Sequence, residues 1–150
     1  MRTWTSKPGK TSVSFDYEKV VRVPMSSDID LVIARREGRA MAEQLGLSSS
    51  EATLVATAIS ELARNIVNYA KVGEIHVSLV SNGTKRGISV VARDQGPGIA
   101  DIRLALQAGY STSGGLGLGL PGVRRIMDEF DIASEPGRGT TITVTKWKRR

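Results

Sequence analysis

The stretch most suited to chemistry is 114–122, where glycine alternates with leucine before the apolar-periodic run 123–130. Glycine lets a backbone take positive φ and come close to a ligand, and the unpaired N–H groups of a first helical turn favour an anion. The stretch therefore predicts a loop that feeds a helix and cradles phosphate. The alternative is a flexible linker or a plain helix entry, although leucine at every second position argues against a solvated linker.

The sequence of residues 114–122 matches other known nucleotide-binding loops poorly. Gly117, Gly119 and Gly122 have the spacing of the dinucleotide fingerprint, but that motif must follow a buried strand, and residues 109–113 are loop-like. A Walker loop ends in Gly-Lys-Ser/Thr, and a eukaryotic-type protein kinase needs a strand lysine and a His-Arg-Asp loop, none of which occurs here. A Rossmann fold and both of these classes are therefore set aside.

Two further groups of polar residues have suggestive positions. Four of them share one face of the predicted second helix at steps of four, four and three: Thr57, Glu61, Asn65 and Asn68. Taken alone, such a stripe is typical of a solvated face. Asp94 ends a predicted strand before a glycine-proline turn, a place where functional residues often lie. The alternative is a turn aspartate that caps its own backbone.

Composition excludes several functional classes. The sequence has no cysteine and one histidine, which rules out a disulfide framework, a thiolate metal site and Ser-His-Asp chemistry. His76 falls in a predicted strand, where we expect a structural role. The N-terminus lacks an apolar core of signal-peptide length, and no run of ~18 apolar residues occurs. We therefore expect a cytoplasmic protein with no membrane partner.

The net charge of +6 has several explanations. Part of the excess lies at the two ends of the chain, and basic ends can bind nucleic acid. Aromatic residues make up only 5% of the sequence, however, and no basic stripe is interleaved with them. We expect no nucleic-acid partner, because a nucleotide, an acidic protein or solvated tails explain the charge as well.

Periodicity and capping signals predict the elements that position these residues. The expected order is a strand over 13–23, helices over 29–45 and from the capping box 48–51 to Tyr69, strands over 74–81 and 87–93, helices over 101–108 and 120–129, and strands over 131–134 and 140–147. We expect one domain, 13–150, after a flexible basic segment, 1–12. Its fold class is an α/β (α+β) two-layer sandwich, with a mixed sheet and helices on one face.

Together these motifs resemble the GHKL ATP-binding superfamily, the Bergerat fold of gyrase, Hsp90, histidine kinases and MutL. Residues 61–65 are similar to its N box, 94–98 to its G1 box, 115–119 to its G2 box and 139–140 to its last box. Four boxes in order are far more specific than one. The resemblance covers roughly 20–145, and its N-box and helix-one segments are similar to the small anti-sigma-factor and stressosome serine kinases of the RsbT type.

The resemblance implies ATP and Mg²⁺ as cofactors. Asn65 would hold Mg²⁺ through a neutral oxygen, and Glu61, one turn earlier, would act as the catalytic base toward an attacking hydroxyl. Asp94 would accept from the adenine amine, with Thr140 nearby through water. The other implied nucleotide-binding residues are Asn68, Gly96, Gly98, Ile99, Gly115, Leu116, Gly117, Leu118 and Gly119.

One departure concerns the cation for the γ-phosphate. Relatives often carry a basic residue in or beside the lid, whereas no Lys or Arg lies between Arg103 and Arg124 in this sequence. Arg64, Arg103 and Arg124 are the candidates that remain, and Mg²⁺ with a helix dipole is the alternative.

Within the superfamily, the motifs imply a free-standing kinase. Gyrase-like and Hsp90-like ATPases use a following domain, and histidine kinases use a helix with a phosphoacceptor histidine; we expect neither here. The resemblance implies transfer of the ATP γ-phosphate to Ser or Thr of STAS-domain antagonist proteins of a stressosome, with a PPM-type phosphatase as downstream target. A homodimer is compatible with this reading. The alternative is an anti-sigma-type protein that sequesters its partner in an ATP-dependent way.

Overall fold

The computed structural model describes the backbone of residues 2–5, and residues 16–107 and 119–149 with their side chains. The described residues form six strands and four α-helices. In chain order these are β1 Arg2–Thr5, β2 Asp16–Met25, α1 Asp28–Leu45, α2 Ser49–Asn65, β3 Gly73–Asn82, β4 Lys85–Asp94, α3 Ile102–Ala105, α4 Gly119–Ile126, β5 Glu129–Glu135 and β6 Gly139–Trp147. A π-helical turn, Ile66–Ala70, continues α2.

The strands form one sheet in the order β1-β5-β6-β4-β3-β2, and each neighbouring pair is antiparallel. The two-layer α/β sandwich is confirmed, but the prediction of a mixed sheet is wrong. A single crossover helix brings the next strand in parallel, whereas the two helices between β2 and β3 return the chain so that β3 runs antiparallel to β2. The other sequential neighbours, β3–β4 and β5–β6, are joined by short turns.

The core lies between the helices and one face of the sheet. Alternate strand residues face the helices and are buried: Val23, Ile75, Val77, Ile88, Val90, Ile142 and Val144. The apolar face of α2 is buried at Val55, Ala58, Ile59 and Leu62, whereas Leu54 is half-buried. This packing fixes which face of α2 is turned toward the end of β4.

Each of the two long helices has a capped end. Gly46 ends α1 in the left-handed conformation, with φ of 96°. The Glu51 N–H donates to Ser48 Oγ at 3.1 Å, which gives the N-cap, while Glu51 Oε1 accepts from the Ser48 hydroxyl at 3.3 Å instead of from the Ser48 N–H that a full capping box uses. The α-helical part of α2 ends at Asn65 and not near Tyr69, because the following turn is π-helical. Such turns are frequent at functional sites.

The two edges of the sheet are β1 and β2. Arg2–Thr5 pairs with β5, so the prediction of a flexible segment over 1–12 is wrong for these four residues; 6–12 lie outside the described residues. On the opposite edge, the register of β2 shifts between Glu18 and Val21, and Lys19 there has a φ of 50°. In the part of the chain that the structure describes, no helix is both long enough and apolar enough to cross a membrane.

Candidate active site

A cavity of about 340 Å³ opens between α2, the π-helical turn, the ends of β4 and β6, and α3. Much of its lining is apolar: Leu62, Ile66, Ala92, Ile99, Leu104, Leu120 and Ile142. Five side chains with polar groups join this lining, namely Asn65, Tyr69, Asp94, Asp101 and Thr140. An apolar cavity with a few converging polar groups is the usual form of a small-molecule site.

Asp94 and Thr140 meet because β4 and β6 are neighbours, in a register that pairs these two residues. The Gly96 N–H donates to Asp94 Oδ1 at 2.8 Å. Burial raises the pKa of Asp94 above its ordinary value, and the backbone N–H groups of Gly96 and Thr140 partly oppose this shift. The carboxyl is thus half-buried and fixed in orientation at one end of the cavity, which we call the strand end.

The loop after β4 fits only because of its glycines. A Cβ atom on Gly98 would lie 2.3 Å from the Glu135 carbonyl oxygen, and Gly98 has a φ of +77°. A Cβ on Gly96 would lie 2.6 Å from Ala70 Cβ in the π-helical turn. Gly98 lines the cavity, whereas Gly96 does not. The need for glycine at position 96 is therefore explained by its tight contact with Ala70, and not by contact with a ligand in the cavity.

Ser134 of β5, which sequence reasoning missed, holds this loop to the sheet. Its side chain is fully buried. The Ile99 N–H donates to Ser134 Oγ at 2.8 Å, Ser134 Oγ donates to the Gly139 carbonyl at 3.0 Å, and the Ser134 and Thr140 hydroxyl oxygens are 2.8 Å apart. No motif marks Ser134, because its importance depends on the pairing of β5 with β6.

Glu61 lies beside the other end of the cavity, which we call the helix end. It is 5% exposed and does not line the cavity. Its Oε1 accepts from Arg64 Nη1 at 2.7 Å, and its Oε2 accepts from the N–H of Gly119, the first residue of α4, at 3.2 Å. The carboxylate thus joins α2 to the start of α4.

Asn65, one turn after Glu61, does line the cavity and is half-buried. Among the candidate cations, Arg64 is paired with Glu61, while Arg103 and Arg124 are exposed. In 16–107 and 119–149, no group of three or more His, Cys, Asp or Glu side chains could hold a metal ion. Asn65 offers one neutral oxygen, the kind of ligand that Mg²⁺ accepts when phosphates supply the others.

The remaining predicted residues have varied positions. Ile99 lines the cavity, whereas Asn68 is exposed and is not part of the lining. Gly115, Leu116, Gly117 and Leu118 lie outside the described residues. Tyr69, a lining residue that sequence reasoning missed, lies four residues after Asn65, so extending the helical step from Asn65 would have found it.

Comparison with known proteins agrees with this geometry. The model of the family described as histidine kinase-, DNA gyrase B-, and HSP90-like ATPase matches residues 50–150. The chain is 50% identical over 127 residues to the serine/threonine-protein kinase RsbT of Bacillus subtilis (strain 168), covering 85% of this chain and 96% of that protein. It is 33% identical over 120 residues to the anti-sigma F factor of Thermoanaerobacter sp. (strain X514), covering 76% and 82% of the two chains.

Solved structures show the same fold at low identity. The RsbU and RsbW domains of Rv1364c from Mycobacterium tuberculosis match with a TM-score of 0.60 and 19% identity, over 89% of this chain and 34% of that one. The mycobacterial sensor histidine kinase MprB matches with a TM-score of 0.50 and 18% identity, over 86% and 99% of the two chains. With its antiparallel sheet, its cavity beside α2 and these matches, the chain belongs to the family of histidine kinase-, DNA gyrase B- and HSP90-like ATPases.

Proposed function

We propose that this protein is a serine/threonine protein kinase that transfers the γ-phosphate of ATP to a protein hydroxyl. The observation that carries the proposal is the arrangement of the cavity. A fixed acceptor, Asp94, lies at the strand end, and Asn65 and Glu61 lie one helical turn apart at the helix end. The 50% identity to a serine/threonine-protein kinase over nearly its whole length supports the same activity.

At the strand end, Asp94 accepts a hydrogen bond from the adenine amine. Thr140, its cross-strand partner, contributes a second hydroxyl contact, directly or through water. The apolar side chains of Ile66, Ile99 and Leu104 line the cavity and enclose the planar base. This end supplies binding and orientation, not chemistry.

At the helix end, Asn65 is the proposed protein ligand of Mg²⁺. When bound, the ion supplies charge neutralisation across the phosphates. The N–H of Gly119 and the glycine-leucine loop before it, 115–118, are the proposed phosphate contacts. Transfer then depends on how the protein orients the acceptor hydroxyl.

Glu61 is the proposed general base. The acceptor oxygen forms a bond to the γ-phosphorus, the bond from phosphorus to the β,γ-bridging oxygen breaks, and the hydroxyl proton passes to the Glu61 carboxylate. That carboxylate is held by Arg64 and the Gly119 N–H in this structure. Because a phosphate competes for the Gly119 N–H, nucleotide binding releases one carboxylate oxygen toward the hydroxyl.

The proposed substrates are Ser or Thr residues of STAS-domain antagonist proteins, and the proposed setting is a cytoplasmic partner switch that controls a PPM-type phosphatase. The second candidate function is an anti-sigma-type binding protein with little kinase activity. The 33% identity to an anti-sigma F factor supports this candidate. In both cases the nucleotide occupies the same cavity.

The test is transfer of labelled γ-phosphate from ATP to protein partners captured from the native lysate. We expect label on serine or threonine of a partner, dependent on Mg²⁺ and absent when ATP carries the label at the α-position. If no partner is labelled while ATP still changes partner affinity, the binding-protein function replaces the kinase. If ATP does not bind at all, both functions fail.

A further inference from the structure

The Ser134 hydroxyl is saturated with hydrogen bonds. A hydroxyl has one proton to donate and two lone pairs that accept. Three groups lie within hydrogen-bond distance of Ser134 Oγ, namely the Ile99 N–H, the Gly139 carbonyl and the Thr140 hydroxyl. The Ile99 N–H can only donate and the Gly139 carbonyl can only accept, so the direction of both bonds is fixed.

This arrangement fixes the direction of the third bond as well. Since the single proton of Ser134 goes to the Gly139 carbonyl, Ser134 Oγ must accept from the Thr140 hydroxyl at 2.8 Å. The Thr140 proton is therefore directed into the sheet, toward a fully buried partner. What the Thr140 hydroxyl can still offer to the cavity is an acceptor lone pair.

We propose that Ser134 is a positioning residue that makes Thr140 an acceptor toward the cavity, and so favours a nucleobase that presents an amino group over one that presents a carbonyl. The inference rests on the proposed binding of an adenine nucleotide at the strand end. Asp94 is an acceptor there too when ionised, so both polar groups at this end accept hydrogen bonds. A 6-amino purine supplies donors at that position, whereas a 6-oxo purine directs lone pairs at it.

The test compares ATP with inosine triphosphate, in which a carbonyl oxygen replaces the 6-amino group. In Ser134→Ala the Thr140 proton loses its acceptor and becomes free to point into the cavity as a donor. We expect the ratio of the inosine triphosphate Kd to the ATP Kd to fall by about 2- to 10-fold, the size of one hydrogen bond. Isothermal titration calorimetry on the full chain gives both constants.

The ratio of the two Kd values distinguishes a role of Ser134 in positioning the Thr140 proton from a role in holding the loop after β4. Ser134→Ala also removes the acceptor of the Ile99 N–H, which loosens the loop after β4 and weakens both nucleotides alike. Ser134→Thr keeps the hydroxyl and is expected to keep the wild-type ratio. Ser89→Ala is the matched control, because Ser89 is 1% exposed on β4, and its hydroxyl has no hydrogen-bond partner among the residues that the structure describes. Neither Kd should change in that variant.

Two outcomes overturn the inference, and they differ from failure of the proposed function. If wild type binds ATP, Asp94→Asn weakens it, and Ser134→Ala leaves the ratio unchanged, the positioning role alone is wrong. If wild type binds neither nucleotide, or Asp94→Asn has no effect, the proposed site is wrong as well. Should Ser134→Ala unfold by circular dichroism, Ser134→Cys replaces it, because a thiol of similar size is a weak hydrogen-bonding group and predicts the same direction.

Discussion

The strand end and the helix end of the cavity are built in different ways. At the strand end, Asp94, Ser134 and Thr140 are held by strand register and by hydrogen bonds that saturate the Ser134 hydroxyl. At the helix end, the Glu61 carboxylate bonds to Arg64 and to the first N–H of α4. Both of those partners are groups that could bind phosphate, so the helix end has to exchange contacts when a nucleotide enters.

This difference separates recognition from chemistry. A rigid strand end needs little reorganisation to bind a base, which favours affinity. In the proposed mechanism, the Glu61 carboxylate at the helix end bonds to Arg64 and the Gly119 N–H until a phosphate competes for that N–H. If the proposed function is right, the nucleobase binds at one end and transfer occurs at the other, so changes at the two ends should affect different measurements.

The largest expected effect is at the helix end. Glu61→Gln keeps the size of the side chain but removes the base and one of its two acceptor oxygens, so phosphate transfer should fall by ~10²- to 10⁴-fold while MgATP and partner affinities stay near those of wild type. Single-turnover transfer and calorimetry measure the two quantities. Glu37→Gln, an exposed position on α1, is the charge-matched control. Equal transfer rates in Glu61→Gln and wild type would remove Glu61 from the chemistry.

The corresponding change at the strand end is Asp94→Asn. An amide can place a donor where an acceptor is needed and leave a buried group unpaired, which costs ~1–3 kcal/mol, or about 5- to 150-fold in ATP affinity. Calorimetry checks this, with Asp28→Asn at the exposed start of α1 as control. Unchanged ATP affinity would mean that the adenine does not bind at Asp94. If Asp94→Asn also lowers the transfer rate at saturating ATP, the strand end contributes to phosphate transfer as well as to binding, and the two ends do not have separate roles.

Asn65→Ala sharpens the comparison within the helix end. The Kd of ATP with Mg²⁺ should become similar to the Kd without it, because the protein loses its ligand to the ion while the strand end still binds the base. Circular dichroism should show an intact fold. We expect a smaller loss than for Asp94→Asn, since the phosphates retain the ion. Tightening by Mg²⁺ that survives in Asn65→Ala would mean that another residue holds the ion.

The smallest expected effect is a pair of pH dependences that have opposite signs, one of the free energy of unfolding and one of ATP affinity. Burial raises the folded-state pKa of Asp94, so the folded protein holds this proton more tightly than the unfolded chain. Its contribution to the free energy of unfolding is therefore present below the ordinary Asp pKa and is lost as pH rises through the raised value. ATP affinity changes the other way, because the ionised carboxylate accepts more strongly from the amine than the protonated carboxyl group does.

Titrating ATP affinity and thermal stability against pH in wild type and Asp94→Asn checks this pair of signs. In the variant, the part of each profile that belongs to Asp94 should be absent. An ATP affinity that is flat from neutral pH down through the acid range in wild type would contradict a role for ionised Asp94.

The helices and central strands were predictable because their signals are long or local. The N-cap at Ser48, the Gly46 cap and the alternation of β3 and β4 each specify structure within a few residues. β1 carries no such signal, since four residues are too few to show a period. The π-helical turn is equally short. An apolar pattern over five residues cannot distinguish the 3.6 residues per turn of an α-helix from the wider turn of a π-helix.

Part of the cavity lining was predictable from the sequence, but the contacts of these residues were not. Asn65, Asp94 and Thr140 line one cavity, as their motifs suggested, because β4, β6 and α2 meet there. Ser134 and the contact between Glu61 and Gly119 depend on pairings between distant segments. No local sequence pattern specifies such pairings, so the sequence identifies some of the lining residues and misses the contacts that hold them in place.

The irregular edge strand β2 has a consequence for how copies of this chain can associate. Its bulge between Glu18 and Val21, the left-handed Lys19 and the exposed Pro24 interrupt the row of backbone donors that another strand would need. Lysine, proline and bulges at an edge are common protections against uncontrolled strand addition and aggregation. β2 therefore does not offer a regular edge to which a strand of a second copy could pair. A stable dimer would be held together by side-chain contacts, and not by continuing the sheet across β2.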